Sequence, residues 1–188
     1  MIASAAMRVL VVVASAGGRT ARLAEAVLDG AREAGADAHL RRSDECSAAD
    51  LEAADAVILG SGVHMAGVES SMRSFLERMA PLWLSGALVG KLGAAFVSAG
   101  AGAQGGGELA LVSLLASLAE HGMLLVSMPN RLAGFGAGGC HWGPVAWTNP
   151  RHGSAGPTPE HLVAARAHGR HVAECAARWL AGAERRAG

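Results

Sequence analysis

Tyrosine is absent from the 188 residues, lysine occurs once, at Lys91, and aromatic residues make up only 4% of the chain. Cysteine is scarce as well: Cys46, Cys140 and Cys175 are far apart, odd in number and without a CxxC pair. That pattern excludes a disulfide framework and a zinc ribbon, and it favours a reducing compartment, so a cytoplasmic location is expected. Charge is sparse at 17%, and 16 basic residues balance 16 acidic ones. An electrostatic nucleic-acid binder needs a basic excess, and a disordered chain needs many charges with few apolar groups, so no nucleic-acid partner and no intrinsic disorder are expected at 51% hydrophobic content. No run approaches the roughly 18 uninterrupted apolar residues of a membrane span. The start, with Arg8, the apolar run 9–13 and Ala14-Ser15-Ala16, imitates a secretory signal. The run is short for one, however, and leads straight into Gly17-Gly18-Arg19-Thr20 and an amphipathic segment, which is how a buried strand feeding a helix reads.

What is present is a regular alternation of elements. Strands are predicted at 7–14, 37–41, 56–60, 92–98 and 123–127, with helices at 20–34, 48–53, 70–79, 108–121 and 158–181. Gly35 closes the first helix, Pro81 stops the third, and Thr158-Pro159 open the last as cap and first-turn residue. Continuous apolar strands separated by helices imply a parallel sheet covered on both faces, hence a doubly wound α/β architecture in one domain over 1–188. The stretch 129–156 has no periodicity but holds Phe135, Trp142 and Trp147, which suggests an ordered surface covering something.

In such a sheet ligands bind beyond the carboxyl ends of the strands, where three unusual loops fall: 15–20, 61–67 and 98–107. The first offers Gly17 and Gly18 for close backbone approach, the hydroxyls of Ser15 and Thr20, the Arg19 cation and a helix N-terminus, a set suited to one phosphate or to a tight capped turn. Neither a Walker A ending nor GxGxxG is present, so a mononucleotide fits better than a nucleoside triphosphate or a dinucleotide.

The segment Leu82-Trp83-Leu84-Ser85-Gly86-Ala87-Leu88-Val89-Gly90-Lys91, with Phe96-Val97-Ser98, the glycines up to Gly107-Glu108 and His121-Gly122-Met123, resembles the WrbA-like NAD(P)H:quinone oxidoreductases, which are flavodoxin-like FMN proteins. Met72-Arg73-Ser74-Phe75-Leu76 and Pro159-Glu160-His161-Leu162 extend the likeness over nearly the whole chain. The resemblance implies a flavodoxin-like, five-stranded, three-layered fold with strand order 2-1-3-4-5. It also implies a homodimer or homotetramer using FMN and NAD(P)H to reduce quinones or related electron-poor aromatics. Carried over by position, Ser15, Gly17, Gly18, Arg19 and Thr20 would face the FMN phosphate. Gly62, Val63, His64, Met65, Ala66 and Gly67 would lie along the isoalloxazine, and Ser98, Ala99, Gly100, Ala101 and Gly102 beneath the ribityl chain and ring edge. His121 would stand near the flavin as the catalytic group that hydrogen-bonds or protonates a quinol oxygen, and Trp83 would approach a neighbouring subunit's cofactor.

The second loop departs from the family's Thr-Pro-Thr-Arg-Phe-Gly, reading Ser61-Gly62-Val63-His64-Met65-Ala66, and the third is longer. These changes motivate an alternative, a flavodoxin-like domain that has lost FMN or redox turnover and binds another aromatic ligand or a protein. Other candidates are weaker. His161, His168, His171 and Glu174 fall near one face of the last helix, where helix-surface histidines are commoner than metal ligands, and Cys140-His141 reads as a structural pair. Between 80 and 150 the only charged residues are Lys91, Glu108, Glu120 and Arg131, a charge-poor surface of the kind that interfaces use.

Overall fold

A computed structural model describes residues 6–100, 104–148 and 156–187. Strand β1 (Arg8–Ala14) leads into helix α1 (Arg19–Glu33). β2 (Asp37–Arg42), the short helix α2 (Ala48–Ala53) and β3 (Ala56–His64) follow. β1 pairs in parallel with β2 on one side and β3 on the other, and β3 pairs with β5 (Leu92–Ala99). Alternation along β1 decides which layer each residue serves. Val9, Val11 and Val13 pack with Leu23, Ala24 and Val27 of α1 and with Val172 and Ala176 of α7 (Pro159–Ala187). Leu10, Val12 and Ala14 face the opposite layer, where Leu51 of α2, Phe75 of α3 (Ser70–Arg78), Leu82 of α4 (Ala80–Ser85) and Leu111, Leu114 and Leu118 of α5 (Gln104–Glu120) close the second core. Three layers result, flavodoxin-like in architecture.

The fifth sheet position is filled by two separate segments. β6 (Leu124–Leu125) pairs with the first residues of β5, and β8 (Gly143–Trp147) pairs in parallel with its last, Val97 opposite Val145 and Ala99 opposite Trp147. Between them run α6 (Phe135–Gly138) and β7 (Gly139–Cys140), the latter antiparallel to β8. The fifth strand expected over 123–127 is therefore two residues long, and the aperiodic stretch after it supplies the sheet's continuation. Part of that stretch, 149–155, lies outside the described residues.

Helices α1 and α7 cross closely because glycines stand at the crossing. A Cβ on Gly30 would lie 1.9 Å from the Arg166 carbonyl oxygen, and one on Gly169 would lie 2.0 Å from that of Val27. Arg166 pairs with Asp29 and Glu33 at 3.0 and 2.9 Å on the outside of the same crossing. Among the described residues no helix is long and apolar enough to cross a membrane.

Candidate active site

Each parallel strand delivers its following loop to the carboxyl edge of the sheet, so the loops after β1, β3 and β5 meet there. The first, 15–18, ends at α1, whose N-cap is Gly18 at φ 74°, a left-handed conformation that favours glycine. No acidic residue stands in the first turn, and the space above Gly17 and Gly18 is open, with no atom within 4 Å of a Cβ at either. A glycine-fronted helix N-terminus whose N-cap residue supplies no side-chain cap is suited to an anion. The Ser15 hydroxyl oxygen accepts the Ala21 N–H at 3.1 Å and keeps its own hydrogen to donate. Thr20 points down rather than up: it is buried, and its hydroxyl lies 2.7 Å from that of Ser98, also buried, at the end of β5. The pair ties the first loop to the third beneath the surface. Gly100 is exposed above it, with open space at its Cβ position, and Ala99 is buried within β5. Ala101 and Gly102 lie outside the described residues.

The second loop, expected over 61–67 after a strand ending at 60, is a hairpin. β3 continues through Ser61, Gly62, Val63 and His64 and turns back at Met65-Ala66 into β4 (Gly67–Val68), with His64 opposite Gly67. A two-residue hairpin turn of type I′ has positive φ at both central residues, and Met65 and Ala66 adopt φ 49° and 65° without being glycine. Such conformations cost roughly 1–3 kcal/mol each and persist only where neighbouring contacts fix them. Met65, at the tip, is fully exposed.

Glu69, which the sequence reading passed over, connects these parts. One carboxylate oxygen accepts the Ala16 N–H of the first loop at 3.1 Å and lies 3.8 Å from His64 Nε2, while the other accepts the Ser71 hydroxyl at 3.0 Å. Its backbone N–H donates to the Ser61 hydroxyl at 2.9 Å and to the Gly62 carbonyl at 3.1 Å. No local motif announces this, because the contact to Ala16 spans 53 residues.

Trp83 and His121 come together, but at the opposite edge. They share a cleft of about 210 Å³ with Arg73, Glu77 and Glu120. The reason is directional: α5 starts at the carboxyl edge and returns antiparallel to β5, so its end lies ~25 Å away at ~1.5 Å per residue. Gly90 N–H bonding to the Gly122 carbonyl, and Lys91 Nζ bonding to the Ala54 carbonyl, fix that end beside the starts of β5 and β3. Within one subunit neither residue stands with the described parts of the three loops, so His121 is not beside a ligand held by its own subunit's loops. His121 Nδ1 is buried without a hydrogen-bond partner, and burial lowers its pKa against the opposing effect of Glu120.

A flavodoxin-domain family profile matches residues 10–92. An NAD(P)H dehydrogenase (quinone) from Methylocella silvestris is 37% identical over 90% of this chain and 96% of its own length, and one from Syntrophobacter fumaroxidans is 36% identical over 90% and 97%. The chain belongs to this family. The crystal structure of a WrbA-like flavodoxin from Agrobacterium tumefaciens superimposes with a TM-score of 0.74 at 27% identity, covering 92% of this chain and 99% of the other. Membership of the NAD(P)H dehydrogenase (quinone) family thus accompanies a fold whose loops after β1, β3 and β5 meet at one edge.

The remaining candidates on this family member resolve differently. His161 is nearly buried, its Nδ1 accepting the Thr158 N–H at 3.1 Å at the start of α7. His171 lies 3.7 Å from the Cys175 sulfur, and among the described residues no group of three His, Cys, Asp or Glu is arranged to hold a metal. His168, expected on the surface, is fully buried with both ring nitrogens unpartnered. The period of α7 brings it to the face that packs on the sheet. Cys140 donates to the Gly143 carbonyl at 3.3 Å while the His141 ring packs against Phe135 with centroids 5.1 Å apart, so the two side chains do not act on each other.

Proposed function

We propose that this chain is an FMN-dependent oxidoreductase that takes two electrons from NADH or NADPH and passes them to quinones or related electron-poor aromatics. The observation that carries the reading is the meeting of three loops at the carboxyl edge around the open, glycine-fronted N-terminus of α1, in a chain whose relatives are named NAD(P)H dehydrogenase (quinone). The residues fit the cofactor. Backbone N–H groups at Gly17 and Gly18, with the Ser15 hydroxyl and Arg19, would hold the phosphate; the hairpin 62–67 would flank the ring; and Ser98, Ala99 and Gly100 would floor the ribityl chain. FMN, when bound, supplies the hydride-accepting and electron-donating chemistry. The protein's own part is to fix the loops, exclude water and offer a face to nicotinamide and then to acceptor.

Trp83 and His121 enter this scheme only through a second copy. Exposed Trp83, Leu84 and Val89 and the largely uncharged surface between 80 and 150 support a homodimer or homotetramer, in which the cleft of one subunit would face the loops of another. There His121, kept neutral by burial, would hydrogen-bond an acceptor oxygen.

The test is direct. Purified protein incubated with FMN and desalted is expected to retain flavin absorbance in the visible range and to oxidise NADH or NADPH when benzoquinone is added. A protein without flavin after reconstitution would overturn the oxidoreductase reading in favour of a domain that binds another ligand.

A further inference from the structure

The Glu69 side chain, at the carboxyl edge, is only 12% exposed, yet it sits at the N-cap of α3 without capping that helix. Instead it reaches across to the first loop, taking the Ala16 N–H, and stands beside His64 at 3.8 Å. Two features show that the space around it is shaped for this arrangement. A Cβ at Gly62 would lie 3.3 Å from the same carboxylate oxygen and 3.2 Å from His64 Nε2, so any larger residue there would push one of the two side chains by a few tenths of an ångström. The adjoining Met65-Ala66 turn holds positive φ at both residues, a strained state that requires fixed flanks, and Glu69 fixes one through its bonds to Ser61 and Gly62.

We propose that Glu69 is a positioning residue for the cofactor loops: its carboxylate clamps the phosphate loop at Ala16 against the β3–β4 hairpin at His64, and it places a fixed negative charge beside the ring of a bound FMN. The proposal rests on the FMN reading above. The clamp sets the spacing of the two loops before a ligand arrives, so no binding energy is spent on ordering them. The charge acts on the electron-accepting tendency of the ring, since a nearby anion opposes the addition of negative charge. Glutamine has the same length and a carbonyl oxygen that can accept from Ala16, so Glu69→Gln separates the charge from the clamp. Glu69→Ala removes both.

Three measurements on wild type, Glu69→Gln and Glu69→Ala decide the matter: amide exchange at Ala16 in the FMN-free protein, the FMN dissociation constant, and the midpoint potential of the bound flavin. The expected result is protected Ala16 exchange in wild type and Glu69→Gln but fast exchange in Glu69→Ala. FMN affinity is expected within threefold of wild type for Glu69→Gln and about tenfold weaker for Glu69→Ala, the scale of one charge-assisted hydrogen bond. The potential is expected to be higher in Glu69→Gln than in wild type, a change that a merely structural role would not produce. Equal Ala16 exchange in wild type and Glu69→Ala overturns the clamp, and an unchanged potential in Glu69→Gln overturns the charge. If wild type takes up no FMN, the functional reading and the charge half fail together, while amide exchange in the FMN-free protein still decides the clamp.

Discussion

The hydroxyls of Thr20 and Ser98 meet at 2.7 Å in the interior, joining the first turn of α1 to the last residues of β5. Either side chain alone would leave a buried polar atom without its partner, so the loops above rest on a bond that is costly to break on one side only. Thr20→Val and Ser98→Ala are each expected to destabilise by about 1–3 kcal/mol. The double variant is expected to cost less than the two single changes added together, and urea unfolding of the four proteins provides the cycle.

Acid sensitivity should trace to His168. Burial drives its pKa down to about 3, with a smaller contribution in the same direction from His171. Because the unfolded chain binds a proton at the ordinary histidine value and the folded chain does not, this group's contribution is whole above about pH 6.5 and declines as pH falls toward 3, by roughly 1.4 kcal/mol per pH unit. Burial lowers His161 and His171 as well, in the same sense. His168→Met, which removes two unpartnered nitrogens from the core, is expected to flatten the acid limb of a stability-versus-pH curve while leaving stability at pH 7.5 equal or higher. An acid limb as steep as that of wild type would refute the assignment.

Close packing of α1 on α7 makes Gly169 intolerant of a side chain. Gly169→Ala would place a methyl carbon on the Val27 carbonyl, and backbone has to move to admit it. A loss of about 1–3 kcal/mol is expected, seen as a melting temperature lowered by ~2–4 °C per kcal/mol. Gly182, whose Cβ position is open on the same helix, serves as the control, and alanine there is expected to be neutral or stabilising.

Assembly is testable at Leu84, which is 77% exposed next to Trp83. Wild type is expected to sediment as a dimer or tetramer at micromolar concentration and Leu84→Glu largely as monomer, because an unpaired carboxylate is costly to bury in an apolar interface. A monomeric wild type would rule out the shared site.

Much of the scaffold is legible in the sequence because burial on both faces writes continuous apolar runs: Val9 to Ala14, Val57 to Leu59 and Gly93 to Val97 all lie inside strands. Pro81 correctly ends α3, but it also sits in the first turn of α4, where a missing N–H does no harm, so stop and start share one residue. Gln104 to Gly107 belong to α5 although three of the four are glycine, since tertiary packing outweighs a propensity that favours a loop. The first loop stands out through its glycines. Glu69 does not, because a carboxylate that serves a backbone amide 53 residues away leaves no local pattern. That His121 lies away from the loops of its own subunit was legible too: a helix leaving the carboxyl edge of a strand must end at the other edge.

The shared fifth position has an evolutionary corollary. β6 and β8 both pair with β5, so residues 127–138 leave the sheet between them and the chain rejoins it through β7 and β8. The excursion is anchored to the framework at two points, since Met128 is fully buried and a Cβ on Gly134 would lie 2.6 Å from the Ala164 nitrogen, while the turn at His141-Trp142 between β7 and β8 is exposed. Changes of length or content that spare the register of β1, β2, β3 and β5 are therefore most readily accommodated at that exposed turn rather than along the whole excursion.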